Sequence, residues 1–160
     1  MYYTSALSRF KGKKYTIDPD KEVDYIINWI KEQFAMYGEN TKAVIINSPN
    51  NPSGAVFSED TIKKLAEIAH NHGIYFHTDA VQAAGNVEID VKEMGIDLLS
   101  ISAHKIYGPK GIGALYVREG LDINPITFGG GQERGLRPST ENVPGIVGLG
   151  KASEMAMATM

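Results

Sequence analysis

An α/β domain built on a mostly parallel sheet is the fold class this sequence predicts. Three observations predict it. Apolar residues recur at helical spacing in two long segments, short β-branched apolar runs alternate with them, and the first connections are long enough for right-handed crossovers. A chain of 160 residues is enough for one domain with a real core and crowded for two.

The elements follow in order. Val23, Ile26, Ile27, Ile30 and Phe34 lie on one face after the start signal DPD and before Gly38, which predicts an amphipathic helix over 19–37. KAVIINSP (42–49) reads as a strand buried on both faces. The next helix runs from an N-cap at Ser58 through Ile62, Leu65 and Ile68 to a C-cap region at Gly73. IYFHTDA (74–80) is the second buried strand. In DVKEMG (90–95), Asp90 and Glu93 have capping-box spacing, with Asp in place of Ser or Thr, and predict a short helical turn. DLLSIS (97–102) and GALYV (113–117) are the third and fourth strands. Only about ten residues join them, too few for a helical crossover, so the fourth strand is expected to be antiparallel. TFGGGQERGLRPST (127–140) is a glycine-rich loop, and Pro144 starts a last helix through Ile146, Val147 and Leu149.

Composition excludes several function classes. The net charge of -3 and the absence of a basic cluster interleaved with aromatics argue against a nucleic-acid binder. No apolar run is long enough to span a membrane, and MYYTSALSRFKGKKY lacks a signal-peptide core, so a cytoplasmic protein without a membrane partner is expected. There is no cysteine, which removes disulfides, thiolate metal sites and a cysteine nucleophile within these residues. No metal site is expected. GPKGIG and TFGGGQERG match neither the P-loop nor the dinucleotide fingerprint; Gly111 and Gly113 are better read as allowing close backbone packing.

Ligands of open α/β sheets bind at the carboxyl ends of the parallel strands, and the polar residues of this chain collect there. Asn50 and Asn51 follow the first strand, Asp79 and Gln82 the second, and Ser102, His104 and Lys105 the third. Asp79 is equally readable as a cap, and Lys105 taken alone as a surface lysine. His77 reads as a hydrogen-bonded core histidine, and His70 and His72 as complements to a helix C-terminus. Arg134 and Arg137 are open to an anion, to a partner's carboxylates or to solvent. A lysine leaving a buried strand is expected to be desolvated, with a lowered pKa and a neutral amine able to form a Schiff base. Pyridoxal phosphate (PLP) chemistry needs such a lysine, a carboxylate for the pyridine nitrogen and a phosphate cradle; Lys105, Asp79 and Ser102 can fill these roles.

HTDAVQAAGNVEIDV, DLLSISAHKIYGPKGIGALYVREG and GGGQERGLRPSTENVPGIVGLGKA resemble, in order, three motifs of the cysteine desulfurases, in the class V branch of fold-type I PLP enzymes. The resemblance runs from about Ile62 to Ala152. It implies a three-layer PLP-transferase large domain in which Lys105 is the Schiff-base lysine and Asp79 pairs with the pyridinium nitrogen. It further implies that Gln82 contacts the phenolic oxygen, that Ser102 and His104 bind phosphate, and that Thr140 reaches the phosphate of a second subunit in a homodimer. The substrate it implies is an amino acid, cysteine, converted to alanine. One departure stands out: RPST carries Ser139 where the family has glycine, so a positive φ there would strain the loop that holds Thr140.

The first third looks more like the class I aminotransferases. In TKAVIINSPNNPSGAVFSED the NNPSG turn resembles their asparagine-proline-Thr/Ser-glycine turn, where desulfurases carry asparagine-asparagine-glutamate; Asn51 fits a contact to the phenolic oxygen under either pattern. A mosaic follows as an expectation: a recombinant, a chimera or a divergent lineage. Relative to the family, residues 1–160 are expected to form one partial PLP-binding domain, without the first part of the cofactor domain and without the small domain that carries the catalytic cysteine. Three functions stay open on this reading: a cysteine desulfurase, a PLP-dependent aminotransferase with Lys105 as the proton-shuttling base, and a catalytically incompetent fragment or chimera.

Overall fold

A computed structural model describes residues 19–37 and 40–160. MYYTSALSRFKGKKY and Asp18 of the start signal lie outside the described residues. The chain divides into two units, 1–42 and 43–160. The first contains α1 (Pro19–Tyr37), with the bounds predicted; Ile30 on it is buried and Ile26 and Ile27 are half-buried, as the helical spacing requires.

The second unit is a four-stranded sheet with two helices. Its strands are β1 (Ala43–Asn47), β2 (Tyr75–Asp79), β3 (Leu98–Ser102) and β4 (Gly113–Val117), in that spatial order. β1, β2 and β3 are parallel, with Asn47 opposite Asp79 and Asp79 opposite Ser100. β4 runs antiparallel to β3, with Ser102 opposite Gly113, as the short connection predicted. A methyl group on Gly113 would lie 2.5 Å from the Ile101 carbonyl oxygen, so the close packing expected at this glycine is real. At Gly111 the requirement is instead conformational: φ is 83° and the space around it is open.

β1 corrects the sequence reading. It was expected to be buried on both faces, yet it is an edge strand of this sheet and Ile45 is 63% exposed. An apolar run shows that a strand can be buried; it does not identify its neighbours.

α2 (Glu59–Asn71) packs on β2. Ile62, Leu65, Ala66 and Ala69 form its buried stripe and join Phe76, Ile96 and Leu99 in the core. The helix begins where predicted: the Ser58 hydroxyl accepts the Thr61 N–H at 3.2 Å. Ser58→Ala is expected to lower stability by about 1 kcal/mol, read as a lower urea midpoint with an unchanged m-value. The helix ends before Gly73, at φ 68°, with the His72 ring on the Ile68 carbonyl. Asp90 caps a turn: its Oδ1 accepts the N–H groups of Lys92 and Glu93 at 2.8 and 3.0 Å. Those two bonds hold its carboxyl below the usual range. The last helix, α3 (Val143–Thr159), is capped by Asn142 and packs on the turn Ala103–Ile106 that follows β3. No helix among the described residues is long and apolar enough to cross a membrane.

Candidate functional site

Three parallel strands bring their carboxyl ends to one edge of the sheet, and each delivers polar residues there. After β1, Asn50 builds the turn: its Oδ1 accepts the Ser53 hydroxyl at 2.7 Å, and its backbone N–H and C=O bond to Ala55 and Gly54. Asn51, exposed, is anchored through its N–H to Asn47 Oδ1 at 2.9 Å. Asn47 was missed from the sequence. Its signal was a polar residue closing a β-branched run at the ligand end of a parallel strand.

Asp79 closes β2 half-buried, and its Oδ1 accepts the Val81 N–H at 3.1 Å. The cap reading is met, and that one bond leaves the carboxylate's further acceptor positions unused by it. Two residues earlier, His77 bonds through Nε2 to Ser100 Oγ at 2.8 Å, as the core-histidine reading had it. Burial pushes its pKa down, and the nearby Asp79 opposes that push only in part.

β3 leads directly into the turn Ala103–Ile106. Ala103 and Ile106 are buried and anchor it, while Tyr107 stops it in the left-handed conformation at φ 61°. Lys105 projects from this turn and is exposed, so the desolvation expected from the strand exit is absent. The anchors of a one-turn helix go inward, and the residues between them are turned outward. Ser102 Oγ and His104 Nδ1 are 2.7 Å apart.

Four of the seven sequence-predicted site residues line one cavity of about 360 Å³: Asn51, Asp79, Gln82 and Lys105, with Asn47 and Asn50 in its wall. Ser102, His104 and Thr140 do not line it. Thr140 is exposed in the glycine-rich loop, where Ser139 has φ 95°, so the condition for strain at the substituted glycine is met. A separate cavity of about 340 Å³ lies on the α2 side, lined mainly by apolar side chains such as Phe57, Ile62 and Met94, and holds none of the seven. Among the described residues no group of three or more His, Asp or Glu side chains could hold a metal ion.

Two histidines separate on inspection. His72 stays at the helix end, but His70 reaches beyond it to Asp97 Oδ2 at 2.9 Å. Asp97 is fully buried, and it also accepts the Phe76 N–H at 2.8 Å and Arg118 Nε at 2.6 Å. This cluster ties α2, β2, β3 and β4 together at the end of the sheet opposite the cavity.

Comparison with other proteins places this geometry. The Aminotransferase class-V family model matches residues 6–160. A cysteine desulfurase IscS of Clostridium botulinum is 48% identical over 159 residues, which is 99% of this chain and 38% of the relative. That alignment takes in the first third of the chain as well as the lysine-bearing part. A cysteine desulfurase IscS of Methanosarcina thermophila is 56% identical over 120 residues, 75% of this chain and 29% of the relative. Among solved structures, a NifS-like protein from Rickettsia africae ESF-5 superposes with a TM-score of 0.75 at 36% identity, covering 82% of this chain and 36% of that one. SspA in complex with cysteine gives a TM-score of 0.68 at 43% identity, covering 86% and 36%. The chain thus spans between 29% and 38% of these relatives, and within that span it belongs to the class-V aminotransferase family.

Proposed function

We propose that this chain carries the lysine-bearing part of the cofactor site of a PLP-dependent cysteine desulfurase, which takes sulfur from L-cysteine and leaves alanine. One observation carries the reading: Asn51, Asp79, Gln82 and Lys105 reach a common cavity from the carboxyl ends of three parallel strands. The relatives named cysteine desulfurase, and the solved relative bound to cysteine, support the substrate class.

The residues present fit PLP. A primary amine, a carboxylate and amide groups surround a space within the size range of small-ligand sites. Bound PLP supplies an electron sink for the carbanion formed at the substrate's α-carbon. Lys105 Nζ would supply the amine that holds the cofactor aldehyde and a base for the substrate's α-proton. The Asp79 carboxylate would hold a proton on the pyridine nitrogen, and the amides of Asn51 and Gln82 would serve the phenolic oxygen. Ser102 orients the His104 ring through Nδ1, leaving Nε2 for a phosphate oxygen. Thr140 contributes to phosphate binding in a second copy, so the working unit is a homodimer. These 160 residues contain no cysteine, so the thiolate that accepts sulfur comes from outside them. A reducing compartment such as the cytoplasm keeps that thiolate available.

The test is a PLP titration of the purified protein followed by visible absorbance, borohydride reduction and peptide mapping, then incubation with cysteine and dithiothreitol. Saturable binding trapped on Lys105, with alanine released, is the expected result. Accumulation of pyridoxamine phosphate would favour the aminotransferase reading. Labelling spread over surface lysines would sink the site.

A further inference from the structure

Three of the four non-glycine residues with positive φ among those described sit in the loop 127–140: Glu133 at 47°, Arg134 at 60° and Ser139 at 95°. L-residues avoid this region, and such outliers persist only where neighbouring contacts hold them. The contacts here are specific. Arg137 Nη1 donates to the carbonyl oxygens of both Ser139 and Thr140, each at 3.2 Å. The Ser139 N–H donates to Gln132 Oε1 at 3.3 Å, and the Gly135 N–H closes the first half of the loop on Gly131 and Gln132. Pro138 fixes the backbone just before Ser139 and packs so close to Gly129 that a methyl group there would come within 3.1 Å.

Two roles open from the sequence, an anion ligand and a solvated surface arginine, make a poor match to this arrangement. One guanidinium nitrogen, Nη1, is already engaged by the loop's own carbonyls, which lie on either side of Thr140. We infer that Arg137 is a positioning residue: it latches the strained Ser139 turn and so presents Thr140 to a phosphate group. This rests on the PLP reading above for the identity of the phosphate. The latch itself is a property of the chain without cofactor.

The sign of two substitutions separates the roles. Arg137→Lys keeps the charge, but its ammonium lies one bond nearer the backbone than Nη1 and on a flexible stem, so it does not reach both carbonyls in the same geometry. Ser139→Gly removes the conformational strain and makes the latch less necessary. Millisecond hydrogen exchange of cofactor-free wild type, Arg137→Lys, Ser139→Gly and the double variant reads the loop, with α2 amides as the control for global folding. PLP affinity of the same four proteins, by absorbance titration, reads the consequence.

Expected are exchange over 132–141 roughly fivefold faster in Arg137→Lys, a PLP Kd weaker by a similar factor, and recovery of both in the double variant. Unchanged exchange in Arg137→Lys would overturn the latch. So would a weaker Kd with unchanged exchange, which would make Arg137 a direct anion ligand, and so would exchange that quickens without recovery in the double variant. If wild type fails to trap PLP on Lys105 while exchange responds as expected, the latch stands and the cofactor reading falls.

Discussion

Lys105→Ala is expected to remove all borohydride-trapped PLP from the protein while leaving its fold intact. The side chain is exposed, and the turn that carries it is held by buried Ala103 and Ile106 on either side, so the stability change should stay within about 0.5 kcal/mol. Covalent labelling should fall from stoichiometric to background. Weak, reversible binding through Asp79, Asn51 and Gln82 is expected to persist, because these residues reach the cavity from other segments. Asp79→Asn is the informative companion. It keeps the shape and an acceptor for the Val81 N–H but not the negative charge, so labelling of Lys105 should persist while turnover of amino acid falls about 100- to 1000-fold. Peptide mapping after reduction decides the first point. Undiminished labelling in Lys105→Ala, for instance on Lys110 in the same loop, would show that the amine had been misassigned.

What the sequence made legible follows the range of the interactions involved. α1 and α2 could be placed because their signals are local: apolar spacing, the Ser58 cap and Gly73 all lie within a few residues of the ends they set. The antiparallel β4 was legible because ten residues cannot cross back over the sheet. The convergence of Asn51, Asp79, Gln82 and Lys105 followed from a general rule, that parallel strands end together. Three features were not legible. The exposure of Ile45 depends on which strands flank β1. The exposure of Lys105 depends on the phase of a one-turn helix, which a run such as SAHKIYG does not announce. His70 looked like a helix-end residue because its partner, Asp97, is 27 residues away.

Asp97→Ala is expected to produce the largest loss of stability, about 3 kcal/mol. The fully buried carboxylate accepts hydrogen bonds from the Phe76 N–H, Arg118 and His70, while its backbone bonds to Phe76 and Arg118 join β2 to β4. Alanine leaves the Phe76 N–H buried without its acceptor and frees the half-exposed His70 and Arg118 side chains, so the loss combines one unsatisfied donor with two bonds to a carboxylate. Asp97→Asn is nearly isosteric yet must aim an amide NH2 at one of these donors, and it should lose roughly half as much. The acid dependence identifies the carboxylate. Burial acts to raise the Asp97 pKa, but the Phe76 N–H, Arg118 and His70 together hold it below its ordinary value of 3.8. Its contribution is therefore complete above pH 3.8 and is lost as pH falls through the lowered folded pKa. His77, lowered by burial from 6.5, acts earlier: below that pH the unfolded chain takes up the proton more readily than the folded one, and stability begins to decline. Urea midpoints between pH 7 and pH 3 should thus fall in two stages in the wild type. In Asp97→Asn the first stage remains and the second shrinks to the part that Asp90, also lowered, supplies; a second stage of undiminished size would assign it to other carboxylates.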